Sequence, residues 1–247
     1  MKQLENKVAI VTGGASGIGK AIAEIFIREG AKVIISDIND QAGNDFINNC
    51  GGNNAIFVKA DSSSPKDNEK IVEAAIANFG ALHIAVNNAG IGGESNPVGE
   101  LSIEGWNKVI DINLNGVFYG MHYQLPEIAK VGGSIINVAS ILGSVGFMNS
   151  AAYVAAKHGV VGLTKTAGWE YATKGVRVNA IGPGFIETPL IENALDKDTQ
   201  TYLASQHAFQ RLGRPEEVAE LALWLATEKS SFVTASYYPV DGGYLAK

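Results

Sequence analysis

The sequence predicts an α/β protein in which helices cover both faces of one doubly wound, seven-stranded parallel sheet. Short runs of β-branched and apolar residues alternate with longer stretches of helical pattern, which is typical of strand–helix–strand units. The predicted strands are almost entirely apolar, as are strands buried on both faces of a parallel sheet. No linker, internal repeat or low-complexity tract divides the 247 residues, so we expect a single domain over residues 1–247.

The pattern places each element along the chain. Strands are predicted at residues 8–11, 32–36, 55–59, 83–86, 134–139, 176–180 and 237–240. Helices are predicted at residues 18–28, 41–49, 66–79, 103–128, 151–173 and 216–227. The segment 184–211 interrupts the alternation, with helical patterns at 189–194 and 199–209. Because long connections after a late strand often cover a site, we predict that this segment is a small helical lid over the substrate.

The composition argues against several classes of function. The chain has 19 Lys and Arg residues against 25 Asp and Glu, a net charge of −6, which disfavours nucleic acid and anionic membranes as partners. The single cysteine, Cys50, indicates a reducing compartment, and we expect a cytoplasmic protein. No Cys/His cluster has zinc-binding spacing, so no metal is expected. The uncharged stretch 131–156 is rich in glycine, serine and asparagine, which argues against a membrane span.

Glycine is unusually frequent, at 29 residues, and several glycines follow the first predicted strand. The sequence there is T-G-G-A-S-G-I-G at residues 12–19, directly before the first predicted helix. Glycines let the backbone turn tightly and approach a phosphate, and a helix start supplies free N–H groups and partial positive charge. This context predicts a Rossmann-type dinucleotide site, although the spacing differs from G-x-G-x-x-G. The residues predicted to contact the cofactor here are Gly13, Ser16, Gly17, Ile18 and Gly19.

Two acidic residues at strand ends are candidates for contacts with the adenosine half of the cofactor. Asp37 ends the second predicted strand, where a carboxylate accepts hydrogen bonds from ribose hydroxyls and repels a 2′-phosphate. Because Ile38 follows it and the glycine turn contains no Lys or Arg, NAD is favoured over NADP; the alternative for Asp37 is a solvated loop residue. Asp61, followed by Ser62, is predicted to contact the adenine; the alternative is that Asp61 caps the helix before Pro65.

A catalytic set is predicted near the fifth strand. Tyr153 and Lys157 are four residues apart in a predicted helix and therefore share one face. Ser140 follows the fifth strand, at the carboxyl edge where open α/β sheets bind their ligands. The Tyr-x-x-x-Lys pattern is weak alone, but together with Ser140 and the glycine turn it indicates catalysis beside a dinucleotide.

These motifs resemble those of the short-chain dehydrogenase/reductase family over nearly the whole chain. The matching segments are N-N-A-G at 87–90, Asn113, the set Ser140, Tyr153 and Lys157, P-G at 183–184 with Thr188, and V-D-G-G at 240–243. Ala235 departs from the pattern, because many relatives carry glycine there. Within the family the chain is most similar to NAD-dependent carbonyl reductases and secondary-alcohol dehydrogenases. The resemblance implies a homotetramer and further cofactor contacts from Asn88, Ala89, Gly90, Tyr153, Lys157, Pro183, Gly184, Ile186 and Thr188.

The resemblance also assigns catalytic roles. Ser140 would hydrogen-bond the oxygen of a carbonyl substrate, and Tyr153 would protonate that oxygen or, in the reverse direction, deprotonate the alcohol. The Lys157 ammonium is expected to hold ribose hydroxyls and, together with an oxidised nicotinamide ring, to favour the Tyr153 phenolate. Lowering the Tyr153 pKa by about 2 units would need about 2.7 kcal/mol of differential stabilisation. Asn113 would hold a water that links Lys157 to solvent; the alternative is a buried amide that satisfies local backbone groups. For Thr188 the alternative to cofactor contact is a simple helix cap.

The predicted substrate pocket is mostly apolar, which suits a ketone or secondary alcohol with hydrophobic substituents. Its predicted lining is Ser140, Leu142, Phe147, Tyr153, Phe185, Leu190 and Leu203. Two alternatives stay open at this point. A 3-oxoacyl-thioester (acyl-carrier-protein) reductase would favour NADP and a basic patch, of which Arg211 and Arg214 are a thin version. A dinucleotide-sensing binding module would lack part of the Ser/Tyr/Lys set, which is complete here.

Overall fold

The computed structural model describes residues 2–50 and 54–247, which form one sheet with helices on both sides. The strands are β1 Val8–Thr12, β2 Lys32–Asp37, β3 Ala55–Lys59, β4 Ile84–Asn87, β5 Gly133–Val138, β6 Val176–Pro183 and β7 Tyr237–Val240. Every neighbouring pair is parallel, in the order β3-β2-β1-β4-β5-β6-β7. The predicted doubly wound, seven-stranded sheet is confirmed. The winding direction reverses between β1 and β4, which opens a crevice at the carboxyl edge.

Helices connect the strands close to the predicted positions. They are α1 Gly17–Arg28, α2 Asp40–Cys50, α3 Pro65–Phe79, α4 Ile103–Ile110, α5 Gly116–Ile128, α6 Ala151–Tyr171, α7 Pro189–Ala194, α8 Lys197–Ser205 and α9 Pro215–Ala226. The short helices α7 and α8 lie in the predicted lid segment. Of the helices in the described part of the chain, none has the length and apolar character needed to cross a membrane.

Apolar side chains pack on both faces of the sheet. Successive residues of a strand point to opposite faces, so Ala9 and Val11 of β1 join one cluster, while Val8 and Ile10 join the other. Helices α1 and α9 cover the first face, and α3, α5 and α6 cover the second. The double coverage explains why these strands read as continuous apolar runs rather than as alternating ones.

The long helix predicted over residues 103–128 has the predicted ends, but it is not α-helical throughout. The chain forms α4 and α5, separated by a π-helical turn, Asp111–Asn115. Asn113 in this turn is fully buried, and its side chain hydrogen-bonds the backbone of Ile91. A single π-helical turn inside an α-helix often marks a functional site. The turn brings Asn113 to the edge of the crevice, as described below.

Side-chain caps set two helix starts differently from the prediction. Helix α8 begins earlier than predicted because Asp196 accepts a hydrogen bond from the Thr199 N–H at 2.8 Å. Ser64, not Asp61, caps α3, by accepting a hydrogen bond from a backbone N–H of the first turn at 3.3 Å. Asp61 instead accepts hydrogen bonds from the N–H and the hydroxyl of Ser63, at 2.8 and 2.7 Å. The capping alternative for Asp61 is therefore wrong.

We predict that Ala235→Gly stabilises the protein. Ala235 has a φ of 57°, in the left-handed region, and a Cβ added at Gly168 of α6 would lie only 2.6 Å from its nitrogen. Glycine relieves roughly 1–2 kcal/mol of backbone strain in the folded state, but it also increases the entropy of the unfolded chain. We therefore expect the free energy of unfolding to rise by about 1 kcal/mol.

Urea denaturation measures this gain as a higher urea midpoint with an unchanged m-value. Ala129→Gly is the matched control, because Ala129 has a helical φ of −63° and should lose stability. A lower urea midpoint for Ala235→Gly than for the wild type would contradict the prediction.

Candidate active site

The glycine turn after β1 is held by residues that follow β4. Gly13 and Gly17 have positive φ angles of 61° and 52°, which favour glycine. Asn88 Nδ2 donates to the carbonyl oxygens of Thr12 and Gly13 at 2.9 and 3.2 Å. Thr12 Oγ1 accepts hydrogen bonds from the N–H groups of Asn88 and Ala89 at 3.0 and 3.1 Å. The ends of β1 and β4 thus form one rigid side of the crevice.

The first turn of α1 has the donor groups that an anion requires. Ser16 is the N-cap residue, but its side chain makes no capping hydrogen bond. In the described first turn of α1 there is no acidic residue. The partial positive charge and the free N–H groups at Gly17, Ile18 and Gly19 are therefore not neutralised by the chain. This arrangement fits the pyrophosphate of a dinucleotide.

Asp37, at the end of β2, faces the glycine turn. Its carboxylate accepts hydrogen bonds from the Ala15 N–H at 3.3 Å and from a backbone N–H of the following loop at 3.0 Å. The contact with Ala15 holds the carboxylate beside the turn, which favours the ribose role over a solvated loop residue. Ile38 is 67% exposed at the rim of the crevice. Asp61 and Ser62 lie beyond the neighbouring strand β3, on the same edge.

Ser140, Tyr153 and Lys157 lie where the end of β5 meets α6. Ser140 Oγ accepts a hydrogen bond from the Leu142 N–H at 3.2 Å and so caps a short 3-10 turn after the strand. Lys157 Nζ donates to the Val138 carbonyl at 2.8 Å and lies 5.4 Å from the centre of the Tyr153 ring. One strand end and one helix face therefore bring the predicted catalytic set together.

Burial governs the ionisation of Tyr153 and Lys157. Lys157 is 3% exposed, and its burial lowers the pKa to about 8. Burial raises the pKa of the Tyr153 hydroxyl, and a hydrogen bond with the Ser140 side chain opposes that rise. In the chain alone, burial thus opposes the expected lowering of the Tyr153 pKa, because loss of hydration disfavours the phenolate.

Asn113 acts on the backbone around the crevice. Its Oδ1 accepts a hydrogen bond from the Ile91 N–H at 3.1 Å, and its Nδ2 donates to the carbonyl oxygens of Ile91 and Val109 at 2.9 and 3.1 Å. Gly90 lies between Asn113 and Lys157, since a Cβ there would meet Asn113 Oδ1 and would lie 3.8 Å from Lys157 Nζ. These contacts support the buried-amide alternative for the Asn113 side chain.

A buried amide network behind the catalytic set was not predicted. Asn87 on β4 and Gln124 on α5 exchange two hydrogen bonds, of 3.1 and 2.9 Å. Asn87 also donates to Asn137 Oδ1 on β5 at 2.9 Å, and Asn137 donates to Thr164 Oγ1 on α6 at 2.9 Å. All four residues are buried and fully paired. The network ties together the strands and helix that carry the catalytic residues.

The lid begins at the end of β6 and returns to the glycine turn. The Gly184 N–H donates to the Val240 carbonyl at 2.9 Å, which fixes the exit from the strand. Thr188 stands before α7 without a side-chain cap, and its hydroxyl donates to the Ile186 carbonyl at 3.3 Å. Thr188 is thus the N-cap residue of α7, but its hydroxyl does not cap the helix. A Cβ at Gly17 would lie 3.2 Å from the Thr188 methyl group, so the lid contacts the turn directly.

An aromatic cluster joins the lid to residues outside it. Phe185 packs against Phe147 and Tyr244, with ring centroids 5.8 Å apart in both pairs. His207 Nε2 accepts a hydrogen bond from the Phe185 N–H at 3.3 Å. The other ring nitrogen lies 3.0 Å from the Leu203 carbonyl, to which it donates in the tautomer that the first bond requires. His207 therefore fixes Phe185 against the rest of the lid.

The residues predicted to line the substrate pocket differ in burial. Leu142 is buried within the short turn that Ser140 caps, whereas Leu190 is 46% exposed on α7. Thr12, His207 and Tyr244 were missed; the position of Thr12 at the start of the glycine turn was an available signal, but no pattern marked the other two. Within residues 2–50 and 54–247, no group of three or more His, Cys, Asp or Glu residues is arranged to hold a metal.

Comparisons with known proteins agree with this geometry. A family model described as enoyl-(acyl carrier protein) reductase matches residues 13–245. Cyclohexanol dehydrogenase of Acinetobacter sp. (strain SE19) is 49% identical over 248 residues, which cover 99% of this chain and 97% of that protein. A 2,5-dichloro-2,5-cyclohexadiene-1,4-diol dehydrogenase of Sphingobium indicum is 42% identical over 250 residues and the full length of both chains. The crystal structure of levodione reductase superposes with a TM-score of 0.95 at 34% identity, covering 98% of this chain and 99% of that one.

These matches extend over nearly the whole chain and therefore include the glycine turn, the catalytic set and the lid together. The relatives are oxidoreductases that act on secondary alcohols. The chain belongs to the short-chain dehydrogenase/reductase family of oxidoreductases.

Proposed function

We propose that this single-domain enzyme uses NAD to interconvert cyclic secondary alcohols and their ketones. The observation that carries the proposal is the arrangement of Ser140, Tyr153 and Lys157 beside a glycine turn that Asp37 approaches. The relatives that are named for a cyclohexanol and a cyclohexadiene diol supply the ring-shaped substrate class.

Ser140, Tyr153 and Lys157 have separate roles in the proposed reaction. A bound nicotinamide supplies or accepts the hydride. Tyr153 Oη donates its proton to the carbonyl oxygen during reduction and accepts the hydroxyl proton during oxidation. Ser140 Oγ holds the same substrate oxygen and stabilises the charge that develops on it. Lys157 Nζ, anchored on the Val138 carbonyl at 2.8 Å, has hydrogens left to hold the ribose hydroxyls of the cofactor.

The cofactor would lie along the carboxyl edge from β3 to β6. Its pyrophosphate would rest on Gly13, Ser16 and the start of α1, with Asp37 on the adenosine ribose. The residues proposed for the remaining contacts are Ile38, Asp61, Ser62, Asn88, Ala89, Gly90, Pro183, Gly184, Ile186 and Thr188. NAD is preferred because a 2′-phosphate would have to approach the Asp37 carboxylate.

Exposed aromatic residues support the proposed homotetramer. Val117 and Met121 of α5 are buried on the second face of the sheet, but Trp106 of α4 and Phe118 of α5 are 37% and 48% exposed. An exposed aromatic strip on a long helix pair suits packing against a second copy across a two-fold axis. The single cysteine supports a cytoplasmic, reducing location.

We expect cyclohexanol oxidation with NAD and cyclohexanone reduction with NADH, measured by absorbance of the reduced cofactor. Tyr153→Phe should lower kcat in both directions by at least about 100-fold, because a positioned general acid contributes roughly 10²–10⁴-fold. Tyr171→Phe, at the far end of α6, is the matched control. Unchanged kcat in Tyr153→Phe would contradict the mechanism, and faster reduction of acetoacetyl thioesters with NADPH would favour the alternative of a 3-oxoacyl-thioester reductase.

We expect Asp37→Ala to shift the cofactor preference. Removing the carboxylate should raise kcat/KM for NADPH roughly tenfold, which corresponds to about 1.4 kcal/mol of relieved repulsion, and should lower kcat/KM for NADH. Asp40→Ala removes an equal charge at the start of α2 and is the control for a general electrostatic effect. Steady-state kinetics with both cofactors give the ratio; an unchanged ratio in Asp37→Ala would show that this carboxylate does not select NAD.

We expect NADH affinity to weaken as the pH rises through about 8. Burial places the Lys157 pKa at about 8, so the ammonium that holds the ribose is present below that pH and lost above it. Fluorescence titrations of NADH binding from pH 6 to pH 10 should show this transition in the wild type and in the Lys165→Met control, but not in Lys157→Met. A transition that persists in Lys157→Met would assign it to another group.

A further inference from the structure

We propose that Tyr237 is a positioning residue that holds Ser140 in place for catalysis. Tyr237 begins β7, at the edge of the sheet, and its hydroxyl donates to the backbone carbonyl of Ser140 at 2.8 Å. The inference rests on the proposed role of Ser140 in holding the substrate oxygen. It adds a residue that is 97 positions away in the chain and that no sequence motif marked.

The carbonyl of Ser140 is anchored from two directions. It accepts the Gly143 N–H at 2.8 Å within the short turn and the Tyr237 hydroxyl from outside that turn. On the opposite side, Lys157 Nζ donates to the Val138 carbonyl, two residues earlier. The backbone that presents the Ser140 hydroxyl is therefore held between α6 and β7.

The space for Tyr237 is provided by Gly182. A Cβ added at Gly182 would overlap the Tyr237 hydroxyl and ring, with Cε2 at 2.5 Å. Parallel pairing fixes this geometry, because Ala180 of β6 pairs with Tyr237 and Gly182 pairs with Pro239. The ring thus lies across β6 and reaches the turn after β5. The missing side chain at Gly182 therefore allows the Tyr237 hydroxyl to reach the Ser140 carbonyl.

Tyr238 offers a control within the same strand. It points to the opposite face of the sheet and packs edge-on against Trp224 of α9, with ring centroids 6.2 Å apart. Loss of the Tyr238 hydroxyl therefore tests any general effect of changing β7. Loss of the Tyr237 hydroxyl tests the bond to Ser140.

The test compares Tyr237→Phe with Tyr238→Phe and combines the former with Ser140→Ala. Steady-state kinetics would use cyclohexanone with saturating NADH, after thermal unfolding has shown that each variant is folded at the assay temperature. We expect Tyr237→Phe to lower kcat about 5- to 20-fold, with KM for NADH within twofold of the wild type, and Tyr238→Phe to change neither. In the Ser140→Ala background, Tyr237→Phe should have no further effect, because the hydroxyl acts through Ser140.

Three results would overturn the proposal. The first is a kcat for Tyr237→Phe within twofold of the wild type. The second is a loss of kcat in Tyr237→Phe that is matched by an equal rise in KM for NADH. The third is a loss of kcat from Tyr237→Phe that is as large in the Ser140→Ala background as in the wild type. Gly182→Ala supplies a second variant, since it crowds the Tyr237 ring directly; it should lower kcat in the wild type and have no further effect in Ser140→Ala. Failure of the proposed function is distinguishable, because the wild type would then not reduce cyclohexanone, and failure of the proposed role of Ser140 would leave Ser140→Ala fully active.

Discussion

The direction of the strands is the constraint on which the whole site depends. Because all seven strands are parallel, their carboxyl ends lie at one edge, and every proposed functional group is placed there by a strand end or by the helix that follows it. Asp37 follows this rule from β2, Asn88 from β4 and Ser140 from β5. Tyr153 and Lys157 come instead from a helix face, and the Val138 carbonyl ties that helix back to β5. A strand running the other way would remove its group from the crevice.

Burial at this edge favours neutral side chains unless polar partners compensate. The amide network of Asn87, Asn137, Gln124 and Thr164 meets that requirement through hydrogen bonds alone. Lys157 meets it only partly, because one carbonyl partner leaves its pKa at about 8. Burial has removed water from around the Lys157 ammonium. Hydroxyls of an incoming cofactor can take the place of that water as hydrogen-bond partners. Such incompletely compensated polar groups are typical of catalytic centres.

Much of the fold and the outline of the site could be predicted from the sequence. Apolar strand runs gave the parallel sheet, and the glycine turn, Ser140 and the Tyr153–Lys157 pair marked the crevice. The interruption at Asn113 could not be predicted, because the helical pattern continues through residues 103–128 and the π-turn depends on contacts with Ile91. The role of Tyr237 was equally invisible, since it needs the pairing of β6 with β7 and the absence of a side chain at Gly182. Local pattern reveals elements and motifs, whereas contacts between distant segments appear only in three dimensions.

The central claim is that Tyr153 is the group through which the substrate proton passes. A single-turnover experiment tests it most directly: enzyme is mixed rapidly with NAD and cyclohexanol in weak buffer that contains a pH indicator, and proton release and NADH formation are followed together. In the wild type the two signals should rise in step, at about one proton for each NADH, and both should slow together in Tyr153→Phe. If Tyr153→Phe releases protons and forms NADH at the wild-type rate, another group carries the proton and the account is wrong.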